Sequence, residues 1–512
     1  MSWSAEFIET LAATPRRVVL RVSRLETYLE PGSPYSIGSI VGVGSDTELR
    51  ISENGAQVQG QTLNPRGPWT TTIGAFTVEL VGNPYTLMRS IVKGTILQLD
   101  ASFDGGQLWG TVAVGQYQNL RGTGPIYSLE CRDIFAAMKS RMDPTAYSTM
   151  SLFWALHSTT LTADSAVADA TYDVTAAGAW AKETGGYGAM KVTPAGGGDP
   201  FYRLWSATTA TTVTIQDPAT ASVMGTTDVG ATNGDAAQEV VYLTGHPFDI
   251  VRKLLVSRGS GTNGAYDTLP AHCGLGLVDG LLDHAEIDAW KANVVVASSG
   301  SYSWDLAVDD VVDDAYSWLQ SILAPSGLFL AIRQGQIVLR AAQVMGSGVA
   351  AYPGTAYLME DDEIDEILEW EAFASDFGTE FAALEVEAAG ALGASAFNAP
   401  VTLPAEEIAY QDITPMVFSN AAAIRNDVAT RCGESATKIP SRLRVRTKHL
   451  KAASLCIGDP LRIITSRLPA EVRLNSSGGP LLMVDDVSVD LMGGSVTVGA
   501  LLFPETEEMY PA

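Results

Sequence analysis

The 512-residue sequence predicts a mainly β fold with α+β segments: two related β-barrel domains, an inserted β module and a small α/β domain. Apolar and polar residues alternate over short runs that turn-forming residues separate, which is typical of half-buried strands. Only a few stretches repeat apolar residues at helical spacing. The chain also exceeds the ~250–300 residues at which a single hydrophobic core stops growing, so several cores are expected.

The first barrel is expected over residues 1–150. Alternation is clearest around Leu20, Val78 and Leu97. The turn signals between these runs are Pro31-Gly32, Asn54-Gly55, Gly82-Asn83-Pro84 and Asp104-Gly105-Gly106. A short helix is predicted from Asp133 to Arg141, because an aspartate that can cap a helix precedes an apolar stripe.

Residues 151–243 are rich in Thr, Ala and Gly and are predicted to form a separate β insertion. A flexible low-complexity linker is the alternative, but five aromatic residues offer too much apolar area for a solvated tether. They are Trp180, Tyr187, Phe201, Tyr202 and Trp205. Trp180 and Trp205 are also candidate glycan contacts, because exposed aromatic rings can stack on sugars, although core packing is their commoner use.

Residues 244–350 are predicted to form the α+β domain. A helix should begin at Pro247 and end before Gly259, since proline suits a first helical turn and glycine a helix end. A second helix is predicted from Trp304 to Leu323, on apolar residues at helical spacing. The stretch GLFLAIRQGQIVLRAA then predicts a β-hairpin that turns at Gln334-Gly335.

The second barrel is expected over residues 351–512. It opens with EDDEIDEILEWEAF and ends with LRVRTKH, DPLRIIT, LLMVDDVSVDLM and GSVTVGALLF. Each of these runs has the alternation or the β-branched content of a strand. A helix is predicted between them, from Asn420 to Arg431.

No catalytic, cofactor or metal site is predicted. The five histidines, at 157, 246, 272, 284 and 449, form no H-E-x-x-H frame, and no P-loop or serine elbow occurs. The cysteines, at 131, 273, 432 and 456, are too scattered for a metal pair or a disulfide framework, and we expect buried thiols. The acidic run 360–371 offers oxygen ligands for a cation, but a solvated acidic face is the favoured interpretation.

The charge balance argues against nucleic-acid binding. With 58 acidic and 32 basic residues, the net charge of −26 repels a phosphate backbone. No run approaches the ~20 apolar residues of a membrane helix, and the first residues do not have the pattern of a signal peptide, so synthesis in a cytoplasm is expected. An acidic surface also suits a channel through which DNA slides without adhering.

One basic feature stands apart from this acidic background. Arg442, Arg444, Arg446 and Lys448 alternate with uncharged residues and should line one face of a strand. Four cations on one face favour acidic groups opposite them. A solvated edge strand and a subunit interface are both compatible with this pattern, and these four residues are the interface candidates.

Three blocks of the sequence stand out, at residues 94–141, 244–270 and 455–503, and together they resemble the baseplate-hub proteins of long-tailed bacteriophages. GTILQLDASFDGGQLWGTVAVGQYQNLRGTGPIYSLECRDIFAAMKSR (94–141) is similar to their first barrel. TGHPFDIVRKLLVSRGSGTNGAYDTLP (244–270) resembles the segment where a helix follows a P-x-D-I start. The ending from Leu455 to Phe503 is similar to their closing barrel, with Gly458-Asp459 in its turn. The order of the blocks is the strongest part of the resemblance.

The resemblance implies a homotrimer at the tip of a virion tail, in which two barrels from each subunit form a pseudo-sixfold ring around a channel for DNA delivery. Such a ring adapts a sixfold tail tube to a threefold tip. The implied partners are the distal tail protein, a central fibre or spike, and the tape-measure protein. Some relatives carry an iron–sulfur cluster on grouped cysteines; the scattered cysteines here depart from that pattern, and no cluster is predicted.

Two other functions stay open at the level of sequence. A receptor- or carbohydrate-binding tail protein would use the insertion for its affinity. An enzyme that degrades envelope polysaccharide would use Asp or Glu residues that spacing alone does not identify.

Overall fold

The computed structural model describes residues 3–12, 19–25, 35–36, 49–65, 70–82, 93–135, 156–166, 169–177, 180, 182, 188–215, 230–259, 261–270, 273–294, 303–308, 310, 312–342, 356–372, 374, 383–388, 391–398, 408–412, 421–437, 439–468, 481–491 and 493–503. Strands dominate these residues, so the predicted mainly β fold is confirmed. None of the helices in them is long and apolar enough to cross a membrane.

The first part of the chain is a short helix followed by strands. Helix α1 spans Ala5–Thr10, and the Ser4 hydroxyl caps it by accepting from the Phe7 amide. The strands are β1 (Val19–Leu25), β2 (Tyr35–Ser36), β3 (Leu49–Asn64), β4 (Thr70–Ile73), β5 (Phe76–Gly82), β6 (Ile96–Ser102), β7 (Gly110–Thr123) and β8 (Ile126–Asp133). Leu20, Val78 and Leu97 are buried, as their alternation predicted, but β6 is buried at all seven positions and is therefore not the half-buried strand expected there.

Two predicted local features of this part have different outcomes. The Asp104-Gly105-Gly106 turn is confirmed: both glycines have positive φ, and the Asp104 carboxylate accepts from the Gln107 amide at 2.9 Å. The turn predicted at Asn54-Gly55 is wrong, because these residues lie inside the long strand β3, where the pairing with β5 shifts register and Gly55 has a φ of 67°. An irregular strand and a turn both favour glycine at such a position, because glycine readily adopts a positive φ. Most of the helix predicted from Asp133 to Arg141 lies outside the described residues.

The Thr-rich region forms a second sheet. Its strands are β9 (Ser158–Thr160), β10 (Thr171–Asp173), β11 (Gly188–Thr193), β12 (Phe201–Thr208), β13 (Thr212–Ile215) and β14 (Ala236–Gly245). The strand order is β10-β13-β12-β11-β14, with β9 beside β14. The far half of β14 also pairs with a strand of the next region, so the two regions share one sheet.

The third region contains helices and a hairpin. Its elements are α2 (Pro247–Val256), α3 (His284–Asn293), β15 (Trp304–Val308), α4 (Ala315–Leu323), β16 (Leu328–Arg333) and β17 (Gln336–Ala341). The helix at Pro247 and the hairpin turn at Gln334-Gly335 are confirmed, and both turn residues have positive φ.

The helix predicted from Trp304 to Leu323 is wrong in its first half. Trp304, Leu306 and Val308 form β15, and all three are buried at alternate positions. The spacing of their neighbours was also compatible with a helix. Pairing with β14 decides in favour of a strand, and the helix begins only after Asp314, whose side chain caps it.

The last part returns to β structure. Its elements are β18 (Tyr357–Glu360), β19 (Ile364–Glu371), β20 (Ala383–Ala388), β21 (Ala391–Asn398), β22 (Ile408–Asp412), α5 (Ala421–Thr437), β23 (Ser441–Thr447), β24 (Pro460–Ile464), β25 (Leu481–Asp490) and β26 (Ser495–Leu502). Helix α5 covers most of the helix predicted at Asn420 to Arg431 and continues six residues beyond it. Strands β20 to β22 form a small sheet of their own.

The two ends of the chain repeat one arrangement of six strands. Across the sheet, the first set runs β3-β5-β8-β7-β6-β1 and the second runs β19-β23-β26-β25-β24-β18. Each strand of one set has its counterpart at the same place in the other, and the chain order of the counterparts is also the same. We call these sets the first unit and the second unit. They differ at one margin, where β1 is antiparallel to β6 but β18 is parallel to β24.

Candidate assembly interface

The two units are joined strand to strand. Strand β25 of the second unit pairs antiparallel with β3 of the first, with Asp486 opposite Thr62 and Val489 opposite Val58. Gly60 lies at the closest approach, since a Cβ there would stand 2.9 Å from the Val487 carbonyl oxygen. The result is one continuous sheet across both ends of the chain, and one apolar core contains residues of both units.

Two equivalent turns show how closely the units correspond. Gly94 and Gly458 both have positive φ, at 98° and 85°. The Gly94 amide donates to the Tyr117 carbonyl at 2.8 Å, and the Gly458 amide donates to the Val484 carbonyl at 2.7 Å. In each unit, the amide of that partner donates back to the residue after the glycine. The turn that carries the sequence resemblance in the closing block therefore has a counterpart in the opening block.

The basic row lies on an internal strand. Strand β23, which carries Arg442, Arg444 and Arg446, pairs with β19 on one side and with β26 on the other. A solvated edge strand is therefore not its position. Lys448 follows the strand and is exposed.

Carboxylates of the same chain lie opposite these arginines. The closest nitrogen and oxygen atoms are 3.4 Å apart for Arg442 and Asp485, 3.0 Å for Arg444 and Asp486, and 3.3 Å for Arg446 and Glu366. The acidic groups expected opposite the row are therefore carboxylates of the same chain. Participation of the row in a subunit interface stays a prediction.

Gly499 makes one of these pairs possible across an intervening strand. It lies in β26 directly between Arg444 of β23 and Asp486 of β25 in the strand register. A Cβ at this position would stand 2.9 Å from the Asp486 Cβ and from Asp485 Oδ1. The missing side chain leaves room for the guanidinium group to reach over the strand.

Asp485 should make folding stability depend on pH. Burial, with the neighbouring Asp486 charge, raises the pKa of Asp485 to about 7, despite the opposing effect of Arg442. The folded state therefore holds a proton that the unfolded state releases near pH 4, so this residue favours folding at acidic pH and the contribution is lost as pH rises through 7. In urea unfolding at pH 5 and pH 8, Asp485→Asn should remove that part of the pH dependence.

The matched control is Asp362→Asn, because Asp362 is exposed in the turn before β19. Its unfolding free energy should follow that of the wild type at both pH values. Equal pH dependence in all three proteins would contradict the role of Asp485.

A buried ion network fixes the third region to the second unit. The Arg340 side chain is fully buried; its Nε lies 2.8 Å from Glu286 Oε1 of α3, and its Nη1 lies 2.8 Å from Asp459 Oδ1. Arg333 binds the other Glu286 oxygen at 2.8 Å. Burial raises the pKa of Glu286, but the Arg340 and Arg333 charges outweigh it and hold that pKa below its usual value. Arg340 also donates to the Ile457 carbonyl.

The helix with the P-x-D-I start is held by a second set of ion pairs. Asp249 of α2 pairs with Lys291 of α3, and the buried Arg252 pairs with Asp288 and contacts the Tyr266 hydroxyl. These contacts join two helices of one region. The side chains of this sequence block therefore support the structure locally.

The acidic run is held by several separate partners. Glu363 pairs with Lys451 at 2.8 Å and accepts from the Tyr357 hydroxyl at 2.9 Å. Asp361 accepts from the Thr465 hydroxyl. In the residues that the structure describes, no group of three or more His, Cys, Asp or Glu side chains is arranged to hold a metal ion.

The candidate glycan contacts lie in the core of the insertion. Trp180 is 5% exposed and Trp205 is 1% exposed, and their rings meet edge to face. The Trp205 Nε1 donates to the Ala189 carbonyl at 3.0 Å. Core packing was the alternative to glycan contact for these two residues. With both rings packed in this way, neither indole face is available to a sugar. The four cysteines are free and buried, as predicted.

Comparisons with known proteins give weak likenesses. No protein-family model and no curated protein matches the sequence. Among solved structures, the chain is similar to the tail protein from Neisseria meningitidis MC58, with a TM-score of 0.35, 11% identity, and 94% of this chain and 96% of the other covered. The 43 kDa tail protein of prophage MuSo2 from Shewanella oneidensis has a TM-score of 0.35 and 11% identity over 95% and 98%. A chain of the native gene transfer agent virion has a TM-score of 0.29 and 15% identity over 59% and 65%. TM-scores this low do not establish a shared fold.

Proposed function

We propose that the chain is a structural hub of a phage tail tip, in which three copies form a ring that adapts a sixfold tail tube to a threefold tip and lines the DNA channel. The observation that carries the proposal is the repeated unit. Each chain holds two sets of six strands in the same order, joined through β25 and β3. Three chains would therefore present six similar units, as an adaptor between sixfold and threefold symmetry requires.

The sequence blocks that resemble hub proteins coincide with this repeat. The block from Gly94 covers β6 to β8, and the block from Leu455 covers β24 to β26. These are counterpart strands of the two units, and each block includes the equivalent glycine turn. The resemblance and the repeat therefore support the same proposal through different observations.

The charge supports a channel role. A net charge of −26 disfavours adhesion of DNA to the protein, which suits a passage for DNA and disfavours direct nucleic-acid binding. The proposed partners are the distal tail protein, the tape-measure protein and a central fibre or spike, and the proposed location is the tail tip of a virion. No catalytic role is proposed.

The alternative function, receptor or carbohydrate binding through the insertion, has less support. It needs exposed aromatic rings, whereas Trp180 and Trp205 pack against each other in the core. A glycan array with the full chain tests it. Saturable binding to one glycan class, together with a monomeric mass, would favour this alternative over the hub.

The solution mass of the full chain tests the proposed trimer. Light scattering should give the mass of three 54.1 kDa chains, because permanent ring interfaces bury well over ~2,000 Å². The mass should be measured at low and moderate salt. A monomer at every concentration and at both salt levels would contradict a ring that the chain forms by itself.

A further inference from the structure

Among the described residues, the junction between the units leaves one strand edge of each kind without a neighbouring strand. Strand β25 offers its edge to β3 within the chain. The counterpart of β25 is β7, and the counterpart of β3 is β19. Among the described residues, β19 pairs only with β23, and residues 118–123 of β7 pair only with β8. Each chain thus forms one junction, between β25 and β3, and its β7 and β19 edges are the two strands that a second junction of the same kind would need.

A bulge aligns the two edges residue by residue. The pairing of β7 with β8 skips Gln118, and the pairing of β25 with β26 skips Asp485. When Gln118 is aligned with Asp485, Tyr117 is aligned with Val484. These are the two residues whose carbonyls accept from Gly94 and Gly458, so the alignment also matches the two glycine turns. Arg121 then corresponds to Ser488. By the same alignment of β3 with β19, Gly60 corresponds to Ala372, so the two strands must lie slightly farther apart at this point than β25 and β3 do, because a Cβ on Gly60 would stand 2.9 Å from the Val487 carbonyl oxygen.

We propose that copies of this chain join head to tail, with β7 of one copy adding to β19 of the next in the geometry that β25 and β3 form within the chain. Such a heterologous contact closes into a ring when its rotation permits. The contact rests on the repeated unit alone; only its closure after three copies rests on the proposed function. The occupant of each open edge is a second copy of the chain.

Charge on the two edges supports this pairing. In the alignment, Arg121 of one copy lies beside Glu371 of the next, where the intrachain junction has Ser488 and Gln59. The Arg121 side chain is 71% exposed, and its intrachain partner Glu130 is 3.4 Å away. The contact between copies would therefore be ionic where the contact within a chain is neutral, which favours the correct pairing of edges.

Cysteine cross-linking tests the contact directly. A Cβ on Gly60 would stand 3.2 Å from the Ser488 Cβ, so the corresponding side chains at 121 and 372 should come within reach of a disulfide. Arg121 and Ala372 are exposed, whereas the native cysteines are buried. Mixing full-length Arg121→Cys and Ala372→Cys proteins under mild oxidation should give a disulfide-linked dimer. Neither variant alone should do so.

The matched control is Arg132→Cys mixed with Ala372→Cys, because Arg132 is exposed at the far end of the same strand pair. It should give no product above background. A chain that carries both Arg121→Cys and Ala372→Cys should form a covalent ladder, and its largest closed species counts the copies in the ring.

Absence of the 121–372 product over a range of chain concentrations would overturn the inference. Light scattering of the same samples separates this failure from failure of the hub proposal. A trimeric mass without the cross-link means that copies assemble through another surface and leaves the hub proposal standing. A dimeric product from either variant alone would also overturn the inference, because it indicates a symmetric contact.

Discussion

Replacing Arg340 with methionine is expected to lower the unfolding free energy by about 3–5 kcal/mol, because it removes the cation that the buried carboxylates of Glu286 and Asp459 share and leaves Glu286 with Arg333 alone. Methionine keeps most of the side-chain volume, so the loss reports the charge rather than a cavity. Urea unfolding at pH 7 measures the change. Hydrogen exchange should show increased opening at α3 and at the Gly458 turn, which the guanidinium group joins.

Arg467→Met is the matched control for Arg340→Met. Arg467 pairs with Asp361 at 3.7 Å, and both side chains are more than 40% exposed. A solvated pair of this kind contributes about 0–1 kcal/mol. Equal losses from the two substitutions would mean that the Arg340 network does not hold the third region to the second unit.

Replacing Trp205 with alanine is expected to cost about 3–5 kcal/mol, the usual range for removing a large aromatic side chain from a core. The ring packs so closely on Gly188 that a Cβ there would stand 2.1 Å from it, so little can move in to fill the cavity. Hydrogen exchange should show faster opening of β11, β12 and β14. The mass by light scattering should not change, because the insertion lies outside both units.

Leu204→Ala is the control for Trp205→Ala, since Leu204 is the neighbouring residue on the other face of β12 and is only half-buried. Its cost should be clearly smaller. Loss of the oligomer in Trp205→Ala, with a folded core retained, would show that the insertion takes part in assembly.

Local sequence patterns predicted the elements whose signals are also local. The hairpin at Gln334-Gly335 and the helix at Pro247 depend on a few adjacent residues with fixed backbone preferences. Alternation around Val78 likewise needs only a half-buried strand. These predictions hold because tertiary contacts do not oppose the local preference.

The errors arose where distant contacts decide between local options. The stretch from Trp304 fits a helix or a strand, and β14 selects the strand. The Asn54-Gly55 pair has turn chemistry, but pairing with β5 continues on both sides of it. In each case the local sequence is compatible with two structures. The partner strand that decides between them, β14 or β5, lies elsewhere in the sequence.

The electrostatic arrangement could be predicted only in part. Alternation placed the arginines of β23 on one face, but Asp485 and Asp486 come from a strand that is not adjacent, and Gly499 permits the contact. Arg340 was overlooked, although a lone arginine in the apolar run IVLRAA signals a buried partner. Its partner Glu286 has no comparable signal in its surroundings.

The β3 and β25 pairing has a consequence for how the chain folds. Val58 pairs with Val489, so the strand made early waits for one made more than 400 residues later. Contacts of such high sequence separation form slowly, because a long loop must close first. During synthesis at ~5–20 residues per second, the β3 edge stays unpaired for tens of seconds. In that interval it can recruit a strand from another nascent chain, so a lower expression level, with fewer nascent chains present at once, should raise the yield of correctly joined protein.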